Sequence, residues 1–424
     1  MRTIALISEH ASPLATAGGT DSGGQNIYVA NIARQLARRD WRVDVFTRRD
    51  NRFTREVVNW LPGIRVIHLD AGPPRPIPKE ELLPLMDEFG DNLLRMCGRR
   101  QYDLLHANFF MSGRAALPVR ERHGLPLMVT FHALGRVRRR HQNQADLFPD
   151  ERFAVEDRLI READRIIAEC PEERSDLVSL YQADPERIDV VPCGFDPREM
   201  RPMDRAAARQ SLGWSAKEFI VLHVGRLVPR KGVDDVIRAV AALRRNTGLE
   251  ARLYVVGGNS ERPDPGRTPE IGRLQQLAVD CGVERQVCFL GRRPHEALAE
   301  YYAAADVFAT TPWYEPFGIT PVEAMACGTP VVGSRVGGIR TTVLDGVTGL
   351  LVPPQDPEAL AAALAELAAD PQLRRRMGLA GRNRALRHYT WQNVGNRLAG
   401  IFERAIVSNP RRSSPAPASA EARA

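Results

Sequence analysis

The chain has 424 residues, 43% of them hydrophobic and 26% charged, and a formal net charge of +7. That length suits roughly two to three domains, each with its own core, and no apolar run approaches the ~20 residues of a membrane-crossing helix. The basic balance favours anionic ligands such as phosphates, nucleotides or an acidic membrane surface, but no nucleic-acid-binding motif accompanies it, so nucleic acid is not an expected partner.

The first apolar run, residues 3–8, is too short for a signal peptide and runs straight into Glu9 and His10, so it reads as a buried strand. Further strand-like runs follow at 42–47, 64–69, 104–107, 127–131, 165–168 and 188–191. Amphipathic helical stretches separate them. The motif Pro192-Cys193-Gly194-Phe195-Asp196-Pro197 breaks this series. A second one then covers 219–224, 253–256, 286–290, 307–310, 330–333 and 349–352. Such alternation predicts parallel α/β architecture, read here as two doubly wound Rossmann-like domains, 1–197 and 198–390, facing across a cleft. Ligands are then expected at the carboxyl ends of the strands, in that cleft. A helix at 391–407 follows the second series. The segment 408–424, rich in Ser, Pro, Ala and Arg, is expected to be a disordered tail. None of the six cysteines forms a CxxC pair, which points to reduced thiols and a cytoplasmic protein.

Several loops carry residues suited to an anionic ligand. After the first strand, Gly18-Gly19-Thr20-Asp21-Ser22-Gly23-Gly24-Gln25-Asn26 precedes a helix predicted over 26–38. Its spacing fits neither a dinucleotide fingerprint nor a P-loop. It is either a phosphate-approaching loop or a flexible loop with a helix cap. Lys79, in a Pro-Ile-Pro-Lys-Glu-Glu stretch, reads on its own as a surface lysine. His132 ends a buried strand, as either a ligand-facing or a structural histidine. The run Arg136-Val137-Arg138-Arg139-Arg140 is either a solvated face or a contact for an acidic acceptor or a lipid headgroup. In Gly225-Arg226-Leu227-Val228-Pro229-Arg230-Lys231-Gly232 two cations stand five residues apart between a strand and a helix. A departing diphosphate needs such charge, although surface charges on a loop read the same way.

The stretch from Trp313 to Gly328 gathers most of these signals. Glu315 and Glu323 bracket a turn containing Gly318, between a buried strand and a helix expected to start near Thr320. Thr320 to Glu323 also reads as a capping box. The free N–H groups at such a helix start would seat a phosphate.

The sequence EPFGITPVEAMACGTPVV resembles the donor-sugar signature of retaining glycosyltransferases of family 4, a group that includes sucrose-phosphate synthases. SGGQNIYV, GRLVPRKG and FLGRRP are similar to further stretches of that family. The resemblance spans about residues 3 to 395. It implies a GT-B fold, with 1–197 on the acceptor side, 198–390 binding the nucleotide sugar and the 391–407 helix crossing back to the first domain, and a nucleoside diphosphate sugar, UDP-glucose being favoured, as co-substrate. It implies no other cofactor and no metal. By resemblance, Glu323 holds the ribose and Glu315 the hexose hydroxyls. Backbone groups of Phe317, Gly318, Ile319 and Thr320 hold hexose and phosphate, and Arg226 and Lys231 stabilise the leaving diphosphate. His132 positions the hexose, Gly23 and Gly24 meet the diphosphate, and Arg293 marks the segment at the base. On the acceptor side the resemblance names Gln25, with Lys79 and Arg152 at an acceptor phosphate. The acceptor is then a sugar phosphate such as fructose 6-phosphate, or alternatively a lipid-linked or polysaccharide acceptor at a membrane surface. Compared with the inositol-phosphate variant of the family, Ala133 replaces a threonine and Phe109 a tyrosine; both changes remove hydroxyls that help hold an acceptor phosphate there, so the resemblance speaks against inositol phosphate as the acceptor. A glycosidase would share the two carboxylates but has no use for the cation pair. An oxidoreductase would need the missing dinucleotide fingerprint.

Overall fold

A computed structural model describes residues 1–15 and 23–409. Most of the loop at 18–26, as far as Ser22, and nearly all of the tail expected to be disordered lie outside the described residues. Eight strands form a first sheet: β1 (Thr3–Ile7), β2 (Arg42–Arg48), β3 (Val57–Leu61), β4 (Ile64–Leu69), β5 (Leu104–Asn108), β6 (Leu127–Thr130), β7 (Arg165–Ala168) and β8 (Ile188–Val190). Six form a second: β9 (Phe219–Val224), β10 (Ala251–Val256), β11 (Val287–Gly291), β12 (Val307–Thr310), β13 (Val331–Ser334) and β14 (Gly349–Val352). The orders are β3-β4-β2-β1-β5-β6-β7-β8 and β11-β10-β9-β12-β13-β14. Both orders reverse at a central strand, so each sheet has a crevice at the carboxyl ends of its strands.

The central strands are buried and mostly apolar because helices cover both faces. Every residue of β1 and of β9 is buried. In register, Ile4 lies between Val43 of β2 and Leu104 of β5. The edge strand β3 runs antiparallel to β4 and is the one strand absent from the sequence reading. Its Val57, Asn59 and Leu61 are exposed and alternate with half-buried residues. A strand covered on one face carries no continuous apolar run, and continuous runs were the signal used.

The chain crosses between the sheets twice. The first crossing follows β8. The second leads into the helix Trp391–Val407, which packs on the helix Gly24–Ala37 of the first sheet. The crossings lie side by side: Phe195 N–H donates to the Tyr389 carbonyl at 2.8 Å, and Trp391 N–H to that of Phe195 at 3.1 Å. The final helix buries Val394, Leu398 and Phe402 completely. The Phe402 ring meets Trp41 edge-on at 6.2 Å, and Arg39 Nε donates to Asn396 Oδ1 at 2.9 Å. Gly395 permits this approach, because a Cβ there would lie 2.5 Å from Gln35 Cβ.

Gly395→Leu therefore forces the two helices apart. Overpacking of this kind costs about 1–3 kcal/mol. The expected result is a lower urea midpoint with the far-ultraviolet spectrum retained; an unchanged midpoint would show that the helices are not tightly apposed.

Candidate active site

The second sheet supplies the loop between β12 and the helix Ile319–Ala326. This helix starts one residue earlier than expected. Gly318, at φ +93°, is its N-cap, and Thr320 lies inside the first turn rather than capping it. Glu323 does not close a capping box. Its Oε1 lies 2.7 Å from His295 Nε2, and its Oε2 accepts from the Tyr302 hydroxyl at 3.1 Å. The N–H groups of the first turn, unpaired within any helix, thus start at the cavity wall. The loop is held from below: Gly338 N–H donates to the Glu315 carbonyl at 3.0 Å. A Cβ on Gly337, at φ +41°, would stand 2.0 Å from that same oxygen. Gly337 and Gly338 therefore serve backbone geometry.

The cations come from the turn after β9. Lys231 ends the short helix Pro229–Lys231, and its Nζ donates directly to Glu315 Oε2. Burial raises the Glu315 pKa, but Lys231, Arg230 and Arg226 outweigh it and hold the carboxyl below its ordinary range. Burial depresses the Lys231 pKa despite Glu315. Arg226 is solvent-accessible within the cleft, and the protein around it lowers its pKa, with Arg230 adding to the effect. The three cations outnumber the one carboxylate among them, which leaves net positive charge beside the helix start. Arg230 was not singled out from sequence, although it stands next to Lys231 in the same motif. Its guanidinium lies 5.1 Å from the centre of the Tyr314 ring, and its Nη1 is buried without a partner.

The facing wall comes from the first sheet. His132 follows β6 with φ +57°, a strained conformation for a non-glycine residue at a strand end. Its Nδ1 lies 2.8 Å from Glu169 Oε1 and its Nε2 3.2 Å from Asn108 Oδ1. Glu169, only 4% exposed, gave no sequence signal, because it reaches the site from the end of β7. Gln25 Nε2 donates to Ser8 Oγ at 3.2 Å and to the Asn108 carbonyl at 3.1 Å. Gly23 precedes the helix Gly24–Ala37, its N–H bound by Asn26 Oδ1 at 3.0 Å. A Cβ on Gly24 would lie 3.3 Å from Ile319 Cδ1, so the two walls nearly touch there.

Arg152 is buried in this same wall, at 1% exposure. Its Nε donates to Glu156 at 2.7 Å, and its Nη2 donates to the Ala133 carbonyl. Phe109, Phe110 and Phe148 pack around the guanidinium, while Nη1 has no partner. Lys79 opens the short helix Lys79–Glu81 at the rim. The arginine run is no free basic patch. It belongs to the helix Gly135–Gln142, where Arg136 pairs with Asp157, Arg138 with Asp146, and Arg139 with Asp150; Arg140 is exposed. Arg138 lines the cavity, which the sequence reading did not resolve within the run.

These walls enclose a cavity of about 530 Å³, a size suited to a nucleotide-sized ligand. Every residue to which the resemblance gave a role lines it. Arg293 spends its side chain elsewhere, on the Tyr301 hydroxyl at 2.8 Å and the Glu261 carbonyl at 2.8 Å, which leaves its backbone to the cavity. His106 is a buried neutral histidine. It meets Thr130 Oγ1 at 2.9 Å, and burial takes its pKa down to about 3. The walls are tied together: Gln142 reaches the Tyr314 hydroxyl, His141 stacks on that ring at 5.1 Å, and Cys170 Sγ donates to the Pro316 carbonyl at 3.2 Å.

Breaking the Lys231–Glu315 pair from one side strands a largely buried charge. Lys231→Met and Glu315→Leu are each expected to lose up to about 3 kcal/mol, the low end for a buried pair because each side chain keeps some exposure. The double variant should lose less than the sum. Strict additivity in a urea double-mutant cycle would contradict a direct interaction.

The family described as Glycosyltransferase Family 4 matches residues 22–199, and Glycosyl transferases group 1 matches residues 204–384. The chain is 39% identical over 413 residues to the D-inositol 3-phosphate glycosyltransferase of Acidothermus cellulolyticus, covering 96% of this chain and 91% of that one. It is 39% identical to the protein of that name in Nocardia farcinica, covering 95% and 89%. Among solved structures it is similar to a sucrose-phosphate synthase from Thermosynechococcus elongatus, at 36% identity and a TM-score of 0.88, covering 96% of this chain and all of that one. Anabaena HepE in complex with UDP and glucose shares the fold, at 24% identity and a TM-score of 0.75, over 95% of this chain and all of that one. With both halves matched and relatives aligned along nearly its whole length, the chain belongs to the glycosyltransferases of the GT-B fold, in the family 4 and group 1 lineage.

Proposed function

We propose that the protein transfers a hexose, with retention at the anomeric carbon, from a nucleoside diphosphate sugar to a hydroxyl of a small phosphorylated acceptor. UDP-glucose is the favoured donor, and fructose 6-phosphate and an inositol phosphate are the acceptors to try first. One observation carries the reading. A cavity wall with Arg226, Lys231 and an open helix start faces a wall with a buried arginine whose Nη1 has no partner.

The first wall suits the donor. As the sugar–oxygen bond breaks, negative charge grows on the diphosphate, and charge fixed in advance stabilises it without reorganisation. Arg226 and Lys231 supply that charge, and the helix at Ile319 adds its dipole. Glu315, kept ionised and in place by Lys231, is set to accept hexose hydroxyls. His132, held by Glu169 and Asn108, faces the same space. No bound metal or further cofactor enters this reading. Ties across the cleft would keep water from the donor and so favour transfer over hydrolysis.

The second wall suits a phosphate. A buried guanidinium N–H without a partner is costly, and an acceptor oxygen would satisfy it. The Ala133 carbonyl fixes Arg152 in position, which gives Ala133 a role that needs no hydroxyl. Phe109, at φ +88°, places a ring rather than a hydroxyl beside the guanidinium. The relatives' names include an inositol phosphate and a sucrose phosphate, which supports a phosphorylated acceptor.

The test is UDP release from UDP-glucose with fructose 6-phosphate, with inositol 3-phosphate, and with neither. Strong stimulation by either phosphate supports the reading. Stimulation by neither, with the donor still bound, would overturn a phosphorylated acceptor and direct the search to lipid-linked or polysaccharide acceptors. Arg152→Met should raise the acceptor KM about tenfold or more, the worth of a charged hydrogen bond, and leave the donor KM within about twofold.

A further inference from the structure

We infer that His295 is a positioning residue of the nucleotide site, holding Glu323 ready for the ribose and tying it to the segment between the two sheets through Glu199. This deepens the donor reading above and rests on it.

His295 lies on the cavity wall, in the short helix His295–Ala297 that follows β11. Its Nε2 is 2.7 Å from Glu323 Oε1 and its Nδ1 is 3.5 Å from Glu199 Oε2. Glu199 belongs to the first crossing between the sheets, where its N–H donates to the Asp196 carbonyl. Both ring nitrogens thus face carboxylate oxygens, an arrangement that only a doubly protonated ring satisfies. Burial favours the neutral ring, but the two glutamates overcome it and lift the pKa to about 10. The cation is therefore present below that pH and lost above it.

Other nearby groups are committed elsewhere. The Tyr302 hydroxyl reaches Glu323 Oε2, and Arg293 binds Tyr301 and backbone carbonyls. Glu199 and Glu323 are then the charges that face the imidazole.

This arrangement answers a difficulty in the donor site. The Glu323 side chain is only 3% exposed, and a buried carboxylate without a cation is unfavourable. Lys231 is already paired with Glu315. The nucleotide brings further negative charge. His295 supplies the missing positive charge and fixes one carboxylate oxygen, while Tyr302 fixes the other. Each oxygen keeps one lone pair, and two such lone pairs match the two neighbouring hydroxyls of a ribose. Because the imidazolium is shared with Glu199, the ribose carboxylate and the crossing segment are held by one group.

The test uses the whole protein with UDP and 2′,3′-dideoxy-UDP as probes, together with nitrogen-labelled histidine. Wild type should bind UDP markedly better than the dideoxy analogue. His295→Gln should bind UDP about tenfold more weakly and discriminate far less between the two. Glu199→Gln should fall between, and Tyr302→Phe should lose part of the discrimination independently. Nuclear magnetic resonance should show both His295 nitrogens protonated from pH 6 to 9, with the signal assigned by its loss in His295→Gln. Undiminished ribose discrimination in folded His295→Gln, or a neutral His295 ring at pH 7.5, would overturn the inference while leaving the donor site intact. Failure of wild type to bind any nucleoside diphosphate would overturn the donor reading and this inference together.

Discussion

The site depends on one ion pair. Lys231 and Glu315 come from turns after different strands of the second sheet, and each is largely buried. Either charge alone would be costly at that depth. Together they place a carboxylate and an ammonium side by side, with Arg226 in excess, an arrangement suited to the hydroxyls and phosphates of the proposed donor. The backbone is shaped around the pair: Gly337 leaves room for the Glu315 carbonyl, and Gly318 turns the chain into a helix whose first N–H groups are free.

The fold brings a second wall to this pair. Two parallel sheets each end at a crevice, and the helix Trp391–Val407 buries its apolar side against the first sheet's helix Gly24–Ala37. The crossing segments pair with each other at Phe195 and Thr390. Separation is thus fixed on one side, while Tyr314, Pro316 and Ile319 meet the opposite wall at the cavity. Charge balance differs between the walls. The donor wall keeps excess positive charge. On the facing wall the arginines of the Gly135–Gln142 helix are mostly neutralised, and Arg152 keeps its Nη1 group unpartnered.

Much of the architecture was legible because buried parallel strands leave continuous apolar runs, and 64–69, 165–168, 219–224, 307–310 and 349–352 match observed strands residue for residue. The alternating strand β3 left no such run. Motif residues close in sequence, Arg226 with Lys231 after β9 and Glu315 in the turn after β12, were readable as candidate chemistry through spacing and resemblance. Partners that meet only in space were not. Glu169 beneath His132 and Glu199 beside His295 carry no local pattern. Of the two readings of Glu323, the capping box is excluded because its carboxylate partners, His295 and Tyr302, come from elsewhere in the chain. The arginine run was left open between a solvated face and a ligand contact, since its acids, Asp146, Asp150 and Asp157, lie beyond the run itself.

The most direct test of the central claim is calorimetric titration of UDP and of uridine into wild type and into Arg226→Met/Lys231→Met. If fixed side-chain cations hold the diphosphate, wild type binds UDP far more tightly than uridine, and the double variant loses most of that difference, about a hundredfold or more. Retention of the UDP preference in a folded double variant would contradict the account.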